Sequence, residues 1–247
     1  MYKFKQIFMM DLINLFTNPM WIFYAIGFPM ALILILALLT ATSYGNSISS
    51  FDYYGVTIMI FAIFNVTSFS ANSFMEERIK NANMRIVYSP VKPFYLHFSK
   101  VLATFVFCVI TYLTMILFLH FFLAVNYGGV NFWASLIVLI LAIFFFSAFG
   151  VLVCCILKNE SDTNQILSLV LTVFAVIGGV FFPIEGFGKA FSIISWISPA
   201  KWILSTCLQI IYDQDFSLFL PACLILIVLS ILSIFISNKL FKGEDYI

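Results

Sequence analysis

Few residues of this chain have the types and spacing that catalysis or metal binding would need. The two histidines, His97 and His120, fall at opposite ends of one apolar segment, and no carboxylate or cysteine cluster accompanies either. Zinc sites gather three or four ligands, so neither histidine is expected to bind a metal. The sequence has no GxxxxGK[ST] phosphate loop, HExxH zinc motif or GxSxG nucleophile elbow. We therefore predict a chain that is not an enzyme and binds no cofactor or metal itself.

The acidic residues and the cysteines offer no chemistry of their own either. The 11 Asp and Glu residues fall at the ends of apolar segments or between them. No segment therefore carries the mid-membrane carboxylate that ion-coupled pumps use. The 5 cysteines lie in or beside apolar segments, form no CxxC pair, and are interpreted as small apolar residues. If the chain takes part in transport, we expect the energy to come from elsewhere.

The composition is that of a membrane protein. Hydrophobic residues make up 63% of the 247 residues and charged residues 9%, whereas soluble domains carry about 25% charged residues. Mean hydropathy is +1.10. A net charge of +1 gives no bulk attraction for nucleic acid. We predict an all-α integral membrane protein in contact with membrane lipid and without a nucleic-acid partner.

Apolar runs of about 20 residues, long enough to cross a bilayer, occur six times and form one transmembrane domain over residues 1–247. The predicted spans are Met20–Thr40, Tyr53–Phe74, Val101–Leu123, Phe132–Leu157, Ile166–Phe182 and Phe219–Ser237. Ten of the 12 Lys and Arg residues fall on the side of the two termini, and Lys189 and Lys201 fall on the other. The positive-inside rule therefore places both termini in the cytoplasm.

Two further apolar segments are not expected to span the membrane. Residues 1–18 have the pattern of an amphipathic helix in the inner interface, with an ordinary polar lead-in to the first span as the alternative. Residues 183–217 are interrupted at Ser198–Pro199, which favours two short outer half-helices, about Lys189–Ile197 and Ala200–Tyr212. The apolar side chains expected to face the bundle are Phe191, Ile194 and Ile197.

The connection between the second and third spans, residues 76–100, holds five of the 12 Lys and Arg residues. It begins with the acidic–basic cluster EER, and Pro90 and Pro93 prevent one continuous helix. The short piece NMRIVY places apolar side chains beside charges, as suits docking in a groove of a soluble partner. A solvated basic loop that only obeys the positive-inside rule is the alternative.

The order of these segments resembles the permease subunits of type-2 ATP-binding-cassette (ABC) exporters. In that family an E-R-E-type cluster, a short coupling helix, a Pro turn and a Lys that leads into span three follow span two. The segment EERIKNANMRIVYSPVKPFYLHFSK matches this order, although Asn81-Ala82 stands where the family usually has Gly-Thr. GGVFFP and ISPAKWI resemble the family's span-five ending and the break before span six. FTNPMWIFYAIGFPMALI resembles the entry to span one in the drug-export branch.

The resemblance implies a permease that pairs with a separate ABC ATP-binding subunit, on which ATP and Mg²⁺ would bind. It also implies a second permease copy or paralogue, and a multi-pass location in the bacterial cytoplasmic membrane. The residues expected to dock the ATPase are Glu76, Glu77, Arg78, Arg85, Val87, Pro90 and Lys100. The residues expected to form an outer gate in the half-helix region are Pro183, Trp196, Pro199 and Trp202.

Span two carries one polar stripe. Its members, within about 80° of arc on an α-helix, are Thr57, Phe61, Asn65, Ser68 and Asn72. Polar side chains inside a bilayer generally face protein or a water-filled cavity. The stripe is therefore expected either to line a translocation path or to make hydrogen bonds between helices.

These features favour an export permease for a hydrophobic or amphipathic substrate, such as a drug, a peptide antibiotic or a lipid-like molecule. The first two outer connections, of about ten residues each, leave no outer domain for a polymer. The alternatives are a permease for lipid-linked polysaccharide with the same fold, and a non-transporting immunity or sensor subunit. A membrane enzyme acting on lipids is disfavoured, because no acid and base pair at one membrane level.

Overall fold

The computed structural model describes residues 2–41, 49–75, 93–182 and 188–241. Within these ranges all regular secondary structure is helical, as the sequence predicts, and no strand is formed. The helices in chain order are α1 Tyr2–Thr17, α2 Pro19–Leu39, α3 Ser50–Met75, α4 Pro93–Leu123, α5 Phe132–Leu157, α6 Glu160–Ile177, α7 Lys189–Ser195, α8 Pro199–Leu208 and α9 Phe219–Leu240.

Each of the six predicted spans corresponds to one helix. In the described residues, α2, α3, α4, α5 and α9 are long and apolar enough to cross a membrane. The sixth, α6, has 18 residues and is therefore about 27 Å long. It begins at Glu160 rather than at Ile166, because the Asn159 side chain caps it by accepting the Ser161 N–H at 2.9 Å. The structure is therefore that of a multi-pass membrane protein.

The first span contains a widened turn. Between Pro19–Ile22 and Phe28–Leu39, residues Phe23–Gly27 form a π-helical turn, in which the Phe28 N–H donates to the Phe23 carbonyl. Pro29 follows directly, and a proline cannot donate to the carbonyl four residues earlier, against which its ring also clashes. The extra residue in the turn relieves that clash and keeps the remainder of α2 helical.

The centre of the bundle is α3, which is packed between α2, α4, α5 and α6. Its closest neighbour is α5, because small residues face each other across the seam. A Cβ built on Gly150 would lie 2.3 Å from the Thr67 carbonyl oxygen. One turn away, the Ser70 hydroxyl donates to the Ser147 carbonyl at 2.6 Å. This seam holds α3 in the orientation that decides which of its polar side chains reach the surface.

The bundle has two ends, named here after the helices that mark them. The α1 end contains α1, the last turn of α3 and the first turns of α4 and α6. The α7 end contains α7, the N-terminus of α8 and the first turn of α3. Ring contacts of Phe4 with Tyr95 and Phe98 (5.7 and 6.1 Å) and of Phe16 with Phe107 (4.9 Å) show that α1 runs parallel to α4.

Candidate translocation path and docking region

Most of the residues predicted to dock an ATPase lie outside the described residues. These are Glu76, Glu77, Arg78, Arg85, Val87 and Pro90, and the gate residue Pro183 also lies outside. Lys100 is described, and it does not face the surface: it is 1% exposed. Its ammonium group pairs with the Asp11 carboxylate of α1. A contact between Lys100 and a soluble subunit would therefore have to break this ion pair.

The Asp11–Lys100 pair is part of a buried polar contact between α1 and α4. The Ser99 hydroxyl lies 3.0 Å from the second Asp11 oxygen, so both carboxylate oxygens have a partner. Burial raises the pKa of the Asp11 carboxyl above its ordinary value, and Lys100 and Ser99 oppose that shift. The sequence showed no reason to expect this contact, because Asp11 and Lys100 are far apart in the chain.

The predicted stripe on α3 is only partly at the surface. Phe61, Asn65 and Ser68 are partly exposed and follow one side of the helix. Thr57 is fully buried, and its hydroxyl has no hydrogen-bond partner in the described part of the chain. The Asn65 amide donates to the Phe61 carbonyl at 3.2 Å, within its own helix. The exposed stretch of the stripe is therefore shorter than the sequence suggested.

Asn72 joins α3 to α6 through a reciprocal amide pair. Its Nδ2 donates to Asn164 Oδ1 at 3.1 Å, and Asn164 Nδ2 donates to Asn72 Oδ1 at 2.8 Å. Asn72 is 9% exposed and also donates to the Ser68 carbonyl at 2.8 Å. In the single chain, Asn72 therefore makes the interhelical hydrogen bond that was the alternative to path lining.

A second polar stripe, which the sequence analysis missed, lies on α6. Four uncharged polar residues are all exposed on this helix, and they recur at helical spacing along one face: Ser161, Gln165, Ser168 and Thr172. The buried side of α6 borders this stripe and is formed by Thr163, Leu167, Leu171 and Ala175. On the other side of the stripe the apolar residues Ile166, Leu169, Val173 and Val176 are exposed. The spacing of four, three and four residues was visible in the sequence. It was overlooked because the predicted span began at Ile166 and so excluded its first two members.

A recess of about 680 Å³ opens at the α1 end beside this polar face of α6. Its described lining residues are Met75, Lys158, Asn159, Glu160, Ser161, Asn164 and Gln165. The lining includes Asn164, which is hydrogen-bonded to Asn72 of α3. The recess therefore leads from the end of the bundle to the point where the α3 and α6 stripes meet.

The two predicted half-helices are present as α7 and α8, and the break between them is tied to α6. Ser198 caps α8 by accepting the Ala200 N–H at 3.1 Å, and its hydroxyl donates to the Phe174 carbonyl at 2.6 Å. Pro199 occupies the first turn of α8, where a proline costs no hydrogen bond. The end of α6 can lie this close to α8 because residue 178 is glycine: a Cβ at Gly178 would lie 2.4 Å from the Ala200 Cβ.

Trp196 and Trp202 also meet at this break, where Trp202 Nε1 donates to the Trp196 carbonyl at 2.6 Å. The expectation that the apolar side chains of this region face the bundle is wrong for a single chain. Phe191, Ile194 and Ile197 are 57%, 48% and 70% exposed. The described helices of the bundle leave these three side chains largely uncovered.

The histidines stand where the sequence placed them, at opposite ends of α4. His97 is buried between the rings of Phe94 and Phe241, at 5.4 and 5.6 Å. His120 places its Nδ1 3.0 Å from the Val125 carbonyl oxygen. Across the described residues, no group of three or more His, Cys, Asp or Glu side chains could hold a metal ion.

The comparisons with known proteins agree with this architecture. Residues 39–238 match the sequence model of a family described as "ABC-2 family transporter protein". No curated protein matches the chain. The matched range covers most of the chain and includes α3, both polar stripes and the α7–α8 break. The chain therefore belongs to the ABC-2 transporter family.

Proposed function

We propose that this chain is the translocating subunit of an ATP-driven exporter for hydrophobic or amphipathic molecules. In this proposal two permeases, identical or related, form the path between them in the bacterial cytoplasmic membrane. Residues 76–100 and both termini face the cytoplasm, where a separate ABC ATPase subunit docks and binds ATP and Mg²⁺. Family membership and the ten-to-two division of Lys and Arg residues support this arrangement.

The observation that carries the proposal is the exposed polar face of α6. Hydroxyl and amide groups that face hydrocarbon are costly, so they normally face protein or water. Beside its polar stripe α6 also exposes Ile166, Leu169, Val173 and Val176. By contrast, α2 and α9 expose almost no polar side chains along their spans and mainly apolar ones, such as Leu39 (74%) and Leu220 (67%), as lipid contact requires. The face of α6 is therefore the side on which a second permease and a water-accessible path would lie.

The chemistry of the two stripes supports the substrate class. Phe61 offers an aromatic surface, and Asn65 and Ser68 offer neutral hydrogen-bonding groups beside it. The polar face of α6 is likewise uncharged. Such a lining suits molecules that combine apolar surface with a few polar groups, since ligand sites of this kind are mostly apolar with few polar contacts.

The proposal is tested by co-expressing the chain with candidate ABC ATPase subunits from the same organism and reconstituting any complex that co-purifies. Inside-out vesicles should accumulate ethidium, a hydrophobic cation, or a fluorescent short-chain phospholipid, and only when ATP and Mg²⁺ are present. Retention of the ATPase without ATP-dependent uptake of either probe would favour an immunity or sensor subunit. Failure to retain the ATPase would contradict the proposal itself.

Matched variants of α6 test where the path lies. Replacing Gln165 and Ser168 with Leu should reduce uptake at least about tenfold, while ATPase binding and membrane insertion are kept. Ile166→Leu, at a 46% exposed apolar position of the same helix, is the control and should change nothing. Equal uptake by the Gln165/Ser168 variant and the control would show that the polar face of α6 does not border the path.

A further inference from the structure

The attachment of α1 to the base of α4 contains a feature that packing alone does not require. In a chain with 9% charged residues, Asp11 and Lys100 bury opposite charges against each other at 5% and 1% exposure. A buried ion pair often gives no more stability than two apolar residues of the same volume. The ion pair differs from apolar packing because it depends on orientation: it forms only in one arrangement of α1 and α4.

The geometry makes that arrangement specific. Asp11 uses one oxygen for the Lys100 ammonium. Its other oxygen lies 3.0 Å from the Ser99 hydroxyl, whose single proton is shared with the Leu96 carbonyl of α4 at 2.8 Å. Ser99 and Lys100 are consecutive, so they project about 100° apart around α4. A rotation of α1 about its axis, or a slide by one residue, would break at least one of these contacts. We call Asp11, Ser99 and Lys100 the α1 clasp.

The clasp lies at a particular level of α4. This helix has 31 residues and is about 46 Å long, whereas the hydrocarbon core is about 30 Å thick. About ten residues of α4 therefore extend past the core. Lys100 is seven residues from Pro93, where the helix begins. The clasp thus lies about two turns into α4, near the end at which the chain enters this helix.

The α4 helix connects the clasp to α3 at the centre of the bundle. Beyond the clasp, the buried Tyr112 hydroxyl donates to the Ala62 carbonyl of α3 at 2.6 Å. Ala62 is one residue from Phe61, within the exposed stretch of the α3 stripe. A rotation at the base of α4 therefore reaches the helix that carries part of the proposed path.

We propose that the α1 clasp is a set of positioning residues for coupling: it joins α1 and the first turns of α4 into one rigid unit that conveys ATPase movement to α3. This inference rests on the proposed function. It reassigns Lys100 from a docking contact to an internal tie. A clasp that only added stability could be replaced by apolar packing without effect on transport, whereas a positioning clasp could not.

The decisive variant is Asp11→Leu with Lys100→Met, which removes both charges and keeps similar volume, so that no unpaired charge remains buried. Two readouts are taken on the full chain in complex with the ATPase. Hydrogen–deuterium exchange of the α1 amides reports whether the helix is still held. Ethidium uptake per ATP hydrolysed in vesicles reports coupling. Gln6→Leu with Asn14→Leu, at exposed positions of α1, is the matched control.

We expect the apolar variant to bind the ATPase normally, to exchange its α1 amides at least about tenfold faster than wild type, and to lose at least about fivefold in uptake per ATP. The exchanged pair, Asp11→Lys with Lys100→Asp, should restore most of the wild-type uptake per ATP hydrolysed. If the apolar variant kept the wild-type uptake per ATP hydrolysed, the proposal would be overturned, whatever the exchange rate of its α1 amides. Unchanged α1 exchange would overturn it as well.

Failure of the proposed function can be distinguished from failure of this inference, because the proposed function is tested on the wild-type complex alone. Absence of ATP-dependent uptake by wild type would reject the exporter. The exchange measurement would then still decide whether the clasp holds α1. A single variant such as Lys100→Met is not used for coupling, since it leaves the Asp11 charge buried and unpaired and is expected to unfold the region.

Discussion

The close approach between Gly150 of α5 and Thr67 of α3 predicts that Gly150→Ala weakens the whole helix core. The new Cβ would lie 2.3 Å from the Thr67 carbonyl oxygen and 3.0 Å from the Ser70 Cβ, and ordinary contact begins at 3.4 Å. The first obstacle is backbone, so no side chain can move aside. The helices must separate by about 1 Å, which loosens the packing on both sides of the seam.

The expected magnitude follows from three contributions. Alanine favours the helix over glycine by about 1 kcal/mol. Overpacking of a close-packed core costs about 1–3 kcal/mol. Separation also stretches the Ser70–Ser147 hydrogen bond, and interhelical hydrogen bonds in membranes contribute about 0.6 kcal/mol. The net loss in the free energy of unfolding is about 1–2 kcal/mol, which lowers the unfolding midpoint by about 2–8 °C.

The chain provides its own reporter for this measurement. All 5 cysteine thiols are buried, so a thiol-reactive fluorogenic dye detects the unfolding transition during heating. Gly27→Ala is the matched control: its Cβ would meet the Phe23 ring at 2.8 Å, and that ring is 57% exposed and can rotate away. A Gly150→Ala midpoint at or above that of Gly27→Ala would refute the reasoning from close packing.

Three further predictions concern docking, topology and the gate. Arg85→Asp with Val87→Asp should abolish co-purification with the ATPase and leave membrane insertion intact; an unchanged pull-down would contradict docking at residues 76–100. A cysteine at Val130, which is 86% exposed, should react with an impermeant thiol reagent in intact cells. A cysteine at the exposed Asp162 should not, and its labelling would reverse the predicted orientation. Ser198→Ala removes the tie to α6 at 2.6 Å and a helix cap of about 1 kcal/mol. It should impair ethidium export while ATP hydrolysis continues, and parallel loss of both activities would indicate misfolding instead.

The sequence was sufficient for the features that depend on composition and local breaks. Long apolar runs predicted all six bundle helices, since about 20 apolar residues are needed to cross a membrane. Pro199 and the preceding Ser198 predicted the division between α7 and α8, because a proline starts a helix more readily than it continues one. The start of α6 was misplaced by six residues, because its first turns are polar and its cap is Asn159.

Features that depend on contacts between distant residues could not be predicted in the same way. The resemblance to exporter permeases assigned Lys100 to docking, and only the fold shows that it meets Asp11 of α1. Thr57 shares a helical stripe with Asn65, but the packing of α3 against its neighbours buries one and leaves the other partly exposed. Periodicity tells which residues share a face, whereas the neighbouring helices decide whether that face is covered.

Four of the polar ties between helices form a series that runs from α1 to α8. Asp11 and Lys100 join α1 to α4, Tyr112 joins α4 to α3 at Ala62, and Asn72 joins α3 to α6 at Asn164. Ser198 then joins α6 to α8 at the opposite end, through the Phe174 carbonyl.

Each of these ties is directional, unlike the apolar contacts around it, so each restricts how one helix can turn against the next. Contiguity alone does not establish coupling between the two ends. The clasp variant and Ser198→Ala interrupt the series at its first and last ties. If the series conveys movement, both should lower export per ATP hydrolysed, and combining them should lower it no further than the stronger single change. Additive losses would show that the clasp and the α6–α8 tie act independently.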